Sequence, residues 1–386
     1  VNRLRSIDIA RGAVMILMAI DHVRVFSGLP GGGPTAGIFF TRWVTHFCAP
    51  AFIFLAGTSA FLQQRHGRGI SRQLLVRGLW LVLLELTVIR FTWTFNFDYA
   101  HYALAGVIWA IGWSMVILAG LVKLPVKVVA VIGLAIAAGH NLLTPHVQWI
   151  TESLQSSPVA LAFWKIGYLA FFDGPISLGP GGPVLVVLYS IIPWVGVMAT
   201  GYAFGAIMTK PAEERDRLCR RIGLAAIAIF LVLRIVNRYG DPNPWEAGSK
   251  GLFFAFLSPA KYPASLIFLL MTLGPTIALL PTLERLRGKL SDAVALFGRV
   301  PFFYYVLHIP LIHLLAIGVS LVRTGSVAPW LFTNHPMGNP PPPDGYTWSL
   351  PLLYLVWAIA VMILYFACRW YADLKARRRD WWMAYL

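Results

Sequence analysis

The sequence predicts an all-α, polytopic membrane protein: about ten transmembrane helices in one bundle, with both chain ends on the cytoplasmic side. Three observations predict it. The 386 residues are 58% hydrophobic and only 12% charged, with a mean hydropathy of +0.68. Several windows hold roughly 20 predominantly apolar residues, enough to cross a bilayer as a helix. Lys and Arg are sorted into alternate loops, as the positive-inside rule demands.

In chain order the expected spans are 8–27, 44–63, 73–91, 102–122, 125–140, 184–208, 222–237, 262–281, 300–321 and 350–370. One set of loops receives Arg3 and Arg5, then Arg65, Arg68 and Arg72, Lys123 and Lys127, the cluster Lys210 to Arg221, Arg285 to Arg299, and finally Lys375 to Arg379. The other set keeps few, such as Arg42, Lys165, Lys250 and Arg323. A missed span would invert this pattern midway. The outer loops are long: 141–183, 238–261 and 322–349, the last with a Pro run that cannot be helical. Residues 1–386 read as a single transmembrane domain, ending in a basic, aromatic cytoplasmic tail over 372–386 in which Trp381 and Trp382 resemble an interfacial anchor.

The net charge of +16 follows from the inner loops. No nucleic-acid-binding motif accompanies it, so no nucleic-acid partner is expected. Cys48, Cys219 and Cys368 are far apart and form no CxxC pair, which excludes a thiolate zinc site. Arg3 and Arg5 before an apolar run mimic a signal peptide. Asp21, His22 and Arg24 interrupt that run, so an uncleaved first span is expected.

Charge inside a span is expensive and marks a candidate site. The first two spans hold Asp8, Arg11, Asp21, His22 and His46. Arg11 and His22 are eleven residues apart, which turns a helix by about 1100°, within about 20° of three full turns, and raises it by about 16 Å. They therefore share one face, with Arg11 toward the cytoplasm and His22 toward the outside. An inner Arg suits phosphates; a deep His suits general-base work near neutral pH. The alternative is an Asp8–Arg11 pair at i,i+3, with His22 only hydrogen-bonding a neighbour. Asp21 points about 100° from His22 and faces a neighbouring helix or the outer loop. His46 opens the second span on the outer side and is placed to approach His22.

Arg72 and Arg77 join Arg11 as cytoplasmic-side candidates, and Glu85 lies near the Arg77 face as a polar-network partner. Arg90, His101, Arg238 and Lys261 fall at the outer boundary and His308 lies mid-span, together a polar basin for a substrate. No metal is expected. Two His lack a third ligand at helical spacing, and His308 and His313 diverge by about 140°.

These residues sit in the stretches RLRSIDIARGAVMILMAIDH, TRWVTHFCAPAFIFLAGTSAFL, RGLWLVLLELTVIR, KYPASLIFLLMTLGP and FGRVPFFYYVLHIPLIHLL. As a set they resemble bacterial membrane proteins grouped with the heparan-α-glucosaminide N-acetyltransferase catalytic domain, over residues 3 to about 315. Arg11 and His22 also match the Arg, ten residues, His spacing of the related acyltransferase-3 family. The resemblance implies an N- or O-acetyltransferase of a bacterial inner membrane. It implies acetyl-CoA bound from the cytoplasm as acyl donor, and a sugar-like or glycan acceptor on the far side. In the lysosomal enzyme the key His lies between the first two spans. That loop, Ser27 to Thr41, has none here, so His22 and His46, with Asp21, are the catalytic candidates. A homo-oligomer is compatible with such a bundle. The same buried groups would also serve a transporter or channel for a small polar solute or protons, against which the absence of an internal repeat counts.

Overall fold

The structure is a computed structural model. It describes residues 3–32, 35–64, 69–242, 244–246, 251–337, 340–378, 380 and 383. Arg65, Arg68, Lys250, Arg379, Trp381 and Trp382 lie outside the described residues.

The chain is a helical membrane protein. Among the described residues six helices are long and apolar enough to cross a bilayer: Ala36–Gln64, Val126–Leu154, Ile191–Met208, Leu266–Arg285, Pro301–Thr324 and Leu350–Arg377. The first helix, Arg5–Phe26, has the length for a span but carries five of the charged residues discussed above. Val107–Leu121 and Pro158–Leu169 are shorter apolar helices.

Two parts of the chain differ from the sequence reading. Residues 141–183 are not one long loop. The fifth helix continues beyond residue 140 through the tight turn His140–His146 into Val147–Leu154, and a further helix begins at Pro158. Polar residues inside 141–157 hid this continuation from a hydropathy window. Conversely, residues 184–187 are a strand, and the helix starts only at Ile191. Val184–Val187 pairs in parallel with Ala103–Ala105 and antiparallel with Ile176–Ser177. Its alternating burial is the period-2 signature of a half-buried strand.

The chain divides into two compact units. The central unit comprises Ala49–Thr87 and Asp98–Pro281; the terminal unit comprises Asn2–Cys48, Val88–Phe97 and Thr282–Leu386. In the central unit Ile70–Leu84 packs on Val107–Leu121, and Val126–Gly139 on Ile191–Met208. Small residues make these contacts close. A Cβ on Gly78 would lie 2.5 Å from the carbonyl oxygen of Gly112, and one on Gly112 would lie 2.7 Å from that of Gly78. Glu85, fully buried in a widened helical turn, accepts a hydrogen bond from the Gly106 amide at 3.2 Å and so meets the start of the helix Val107–Leu121.

In the terminal unit Arg5–Phe26 packs against Lys289–Arg299, Pro301–Thr324 and Leu350–Arg377. Asp8 pairs with Arg3 (2.5 and 3.0 Å), and Arg5 with Asp292. The seam with Lys289–Arg299 is backbone to backbone. A Cβ on Gly12 would lie 1.8 Å from the Val294 oxygen, and one on Gly298 would lie 1.9 Å from the Asp8 oxygen. Neither contact partner is a flexible side chain, so the backbones must move apart to admit a larger residue.

Gly298→Val is therefore expected to cost at least about 1–3 kcal/mol as an overpacking change, seen as a lowered midpoint in detergent thermal unfolding. Gly120→Ala, where a new Cβ meets nothing within 4 Å, is the control and should be neutral or slightly stabilising.

Candidate active site

The site of the terminal unit is built on the C-terminal third of the helix Arg5–Phe26. Asp21 is held by two cations, Arg24 at 2.9 Å within its own helix and Arg42 from the following helix Ala36–Trp43. Arg24 also donates to the Leu29 carbonyl at 2.8 Å. One carboxylate thus fixes the end of the first helix, the turn after it and the start of the next segment. His46 lies half-buried in the tight turn Val44–Phe47 that continues the Arg42 helix.

His22 meets His308. The His22 Nδ1 and His308 Nε2 atoms are 2.6 Å apart, and the rings stack at 4.8 Å. His308 Nδ1 lies against the Tyr305 carbonyl oxygen. That oxygen can only accept, so His308 carries its proton on Nδ1. Its Nε2 then accepts from His22 Nδ1–H. In the neutral pair, His22 is left with a lone pair on Nε2, the atom a general base uses. The carbonyl sets both tautomers in turn. His308 is fully buried, whereas His22 is only partly so, which makes His22 the more accessible member. Trp93 meets the His22 ring edge-on at 4.9 Å.

Beyond this pair lies an aromatic layer. Trp93 stacks on Phe26 at 5.5 Å, and Phe26 touches both His313 (4.7 Å) and His335 (5.5 Å). Phe95 stacks on His313 at 3.9 Å with a left-handed backbone, φ 46°, a conformation unfavourable for a bulky residue. Arg90 holds it there. Its fully buried guanidinium donates to Thr94 Oγ1 (2.9 Å), the Asn96 carbonyl, Asn96 Oδ1 (2.7 Å) and Asn334 Oδ1 (3.2 Å). Arg90, assigned to substrate by its position at a span end, is here the clamp between the 94–96 turn and the 332–334 segment.

The other residues singled out from sequence are more dispersed. Arg11 is partly exposed on the same helix as His22, and Arg72 and Arg77 lie on Ile70–Leu84, exposed and partly exposed. In the central unit His101 is largely exposed and pairs with Asp98 at 2.6 Å, and Arg238 is exposed. Lys261 is buried over the faces of Tyr262 and Tyr189. Sequence reasoning assigned His308 to substrate and did not pair it with His22, because 286 residues separate them and spacing on one helix says nothing of another. His335 was missed altogether. Its only signal was a lone His beside a Pro-rich run.

Two outcomes follow. Burial, with a smaller contribution from His313, pushes the His335 imidazole down from its ordinary value near 6.5 to about 4. The folded state thus resists protonation that the unfolded state accepts. Stability should be full above pH about 6.5, fall as the pH drops below that value, and level off below the folded value of about 4. His335→Phe should flatten this part of an unfolding-midpoint-versus-pH curve. Arg90→Leu, which strands several buried acceptors, should destabilise by at least about 2 kcal/mol, read in the same unfolding assay.

A family model described as heparan-alpha-glucosaminide N-acetyltransferase, catalytic, matches residues 3–235. This is more than half of the 386 residues. No curated protein matches the chain. Arg11, Asp21, His22, His46, Arg72, Arg77, Arg90 and His101 fall inside the matched region; Arg238, Lys261 and His308 lie beyond it. With a helical, membrane-spanning architecture and a match of this extent, the chain belongs to the heparan-alpha-glucosaminide N-acetyltransferase catalytic family of membrane acyltransferases.

Proposed function

We infer that this protein moves an acetyl group from acetyl-CoA, bound from the cytoplasm, to an amine or hydroxyl of a sugar-like acceptor on the outer face of a bacterial inner membrane. The observation that supports this best is the His22–His308 pair, which presents a basic nitrogen with a fixed tautomer. The reading takes the chain as ten spans with both ends inside. Arg11 then faces the donor side and His22 the acceptor side.

In this mechanism the acceptor nitrogen or oxygen attacks the thioester carbonyl while its proton passes to His22 Nε2. The new acyl bond forms, the carbon–sulfur bond breaks, and the proton returns from His22 to the departing CoA thiolate. The imidazolium that forms meanwhile keeps its Nδ1–H on His308 Nε2. His308 keeps its own Nδ1–H on Tyr305, so the positive charge is shared along a hydrogen-bonded chain rather than stranded. Asp21 is a positioning residue, acting through Arg24 and Arg42. His46 is the second catalytic candidate. Arg11 holds CoA phosphates, a task Arg does well through bidentate contacts, and Arg72 and Arg77 are donor-side candidates. His101, Arg238 and Lys261 are acceptor-side candidates. For Arg90 and His308 the contacts above favour structural and relay roles over direct substrate contact.

With labelled acetyl-CoA and an amino-sugar acceptor, His22→Ala should lower transfer by about 10²–10⁴-fold, the range for loss of a general base. His308→Ala should give a smaller loss with an altered pH profile. Transfer unchanged in His22→Ala would move the role to His46. Arg11→Ala should weaken acetyl-CoA binding and leave the pH profile in place; equal binding would remove that role.

A further inference from the structure

Lys261 lies in the central unit and is about nine-tenths buried. Its Nζ sits over two tyrosine faces, Tyr262 at 5.2 Å and Tyr189 at 5.8 Å. Among the described residues it has neither a carboxylate partner nor a hydrogen-bond acceptor. A ring face returns only part of the hydration an ammonium loses on burial.

Two independent features lie on the chain segments that contact this turn. Next to Tyr189 is Ser190, the residue that opens the 18-residue helix Ile191–Met208. Ser190 is 1% exposed, makes no side-chain cap to that helix, and its hydroxyl has no partner among the described residues. A helix start with an uncapped first turn is a positive pole. On the other side, the turn that contains Lys261 is tied to Asn141, whose Oδ1 accepts from the Leu266 amide at 2.8 Å. This fixes Asn141 Nδ2 as a donor, and it too is buried without a partner. Two buried donors, the Ser190 hydroxyl and the Asn141 amide, thus lack an acceptor on segments that border the turn of the largely buried Lys261.

We propose that Lys261, Ser190 and Asn141, with the start of the helix Ile191–Met208, form an oxyanion-binding site for a sulfate, phosphate or carboxylate group. An oxyanion accepts from the ammonium, the hydroxyl and the amide at once, and lies at the positive helix pole. The tyrosines exclude water and strengthen the pairing. The site does not depend on acyl transfer, and its test reads binding, so failure of either reading leaves the other standing. The oxyanion belongs either to a soluble molecule or to a lipid headgroup.

The test is thermal unfolding of the full-length protein in zwitterionic-lipid nanodiscs, titrated with sodium sulfate or sodium phosphate against sodium chloride at matched ionic strength. A saturable rise in midpoint with either oxyanion is expected in the wild type. Lys261→Met should abolish the saturable part and, because a buried unpaired cation is gone, unfold at or above the wild-type temperature without oxyanion. Lys261→Arg should keep a saturable response, and Ser190→Ala should raise the half-saturating concentration several-fold. A Lys261-dependent gain in phosphatidylglycerol nanodiscs without added salt assigns the group to a lipid; a gain only with the soluble anions assigns it to a soluble ligand. Equal rises in wild type and Lys261→Met, the non-specific effect of excluded salts, would overturn the proposal. So would the absence of any saturable rise in both media.

Discussion

The terminal unit depends on a single constraint: a buried imidazole cannot choose its own tautomer. The Tyr305 carbonyl accepts and never donates, so His308 is protonated on Nδ1, and His22 in turn donates to His308. The outcome is a lone pair on Nε2 of His22, the less buried ring of the two. A backbone group belonging to a packed helix sets the tautomer, without the cost of desolvating a charge. The arrangement tolerates little displacement, because a hydrogen bond between two rings needs both distance and direction. The glycine seam at Gly12 and Gly298 and the Arg90 clamp are the features that hold the surrounding elements in place.

The layer beneath the pair explains why so many aromatic residues gather here. Trp93 meets the His22 ring and stacks on Phe26, which passes the packing on to His313 and His335, and His313 to Phe95. Around them Arg90 supplies four acceptors with donors. The left-handed Phe95 is unfavourable by itself and persists because the clamp and the His313 stack determine it. Strain held by surrounding structure is a recurring feature of functional regions.

Much of this was legible before any coordinates. Intramembrane charge singled out Asp21, His22 and Arg90, and the one-face arithmetic for Arg11 and His22 needs only a helix through both residues, which Arg5–Phe26 supplies. The angle between Asp21 and His22 implied that the carboxylate serves a neighbouring segment, and it does so through Arg42. What could not be read was any pairing between helices. Periodicity orders residues around one axis and carries no information on which axis lies beside it, so His308 was singled out as a substrate candidate without its contact to His22. Arg90 shows a second gap: an Arg at a span end looks alike whether it snorkels, binds substrate or satisfies loop carbonyls. The region 141–183 shows a third, since a helix interrupted by a tight turn and polar residues has no continuous hydropathy signal.

The central claim is that His22 performs base chemistry for an acyl transfer that crosses the membrane. It is tested most directly by sidedness. Sealed proteoliposomes with the cytoplasmic face inward are loaded with labelled acetyl-CoA, and an amino sugar is supplied only outside. The account predicts acetylated sugar in the outer medium from wild type and none from His22→Asn, with acetyl-CoA still bound by the variant. Acetylated product from His22→Asn at the wild-type rate would contradict it, as would uptake of unmodified solute with no acetylated product.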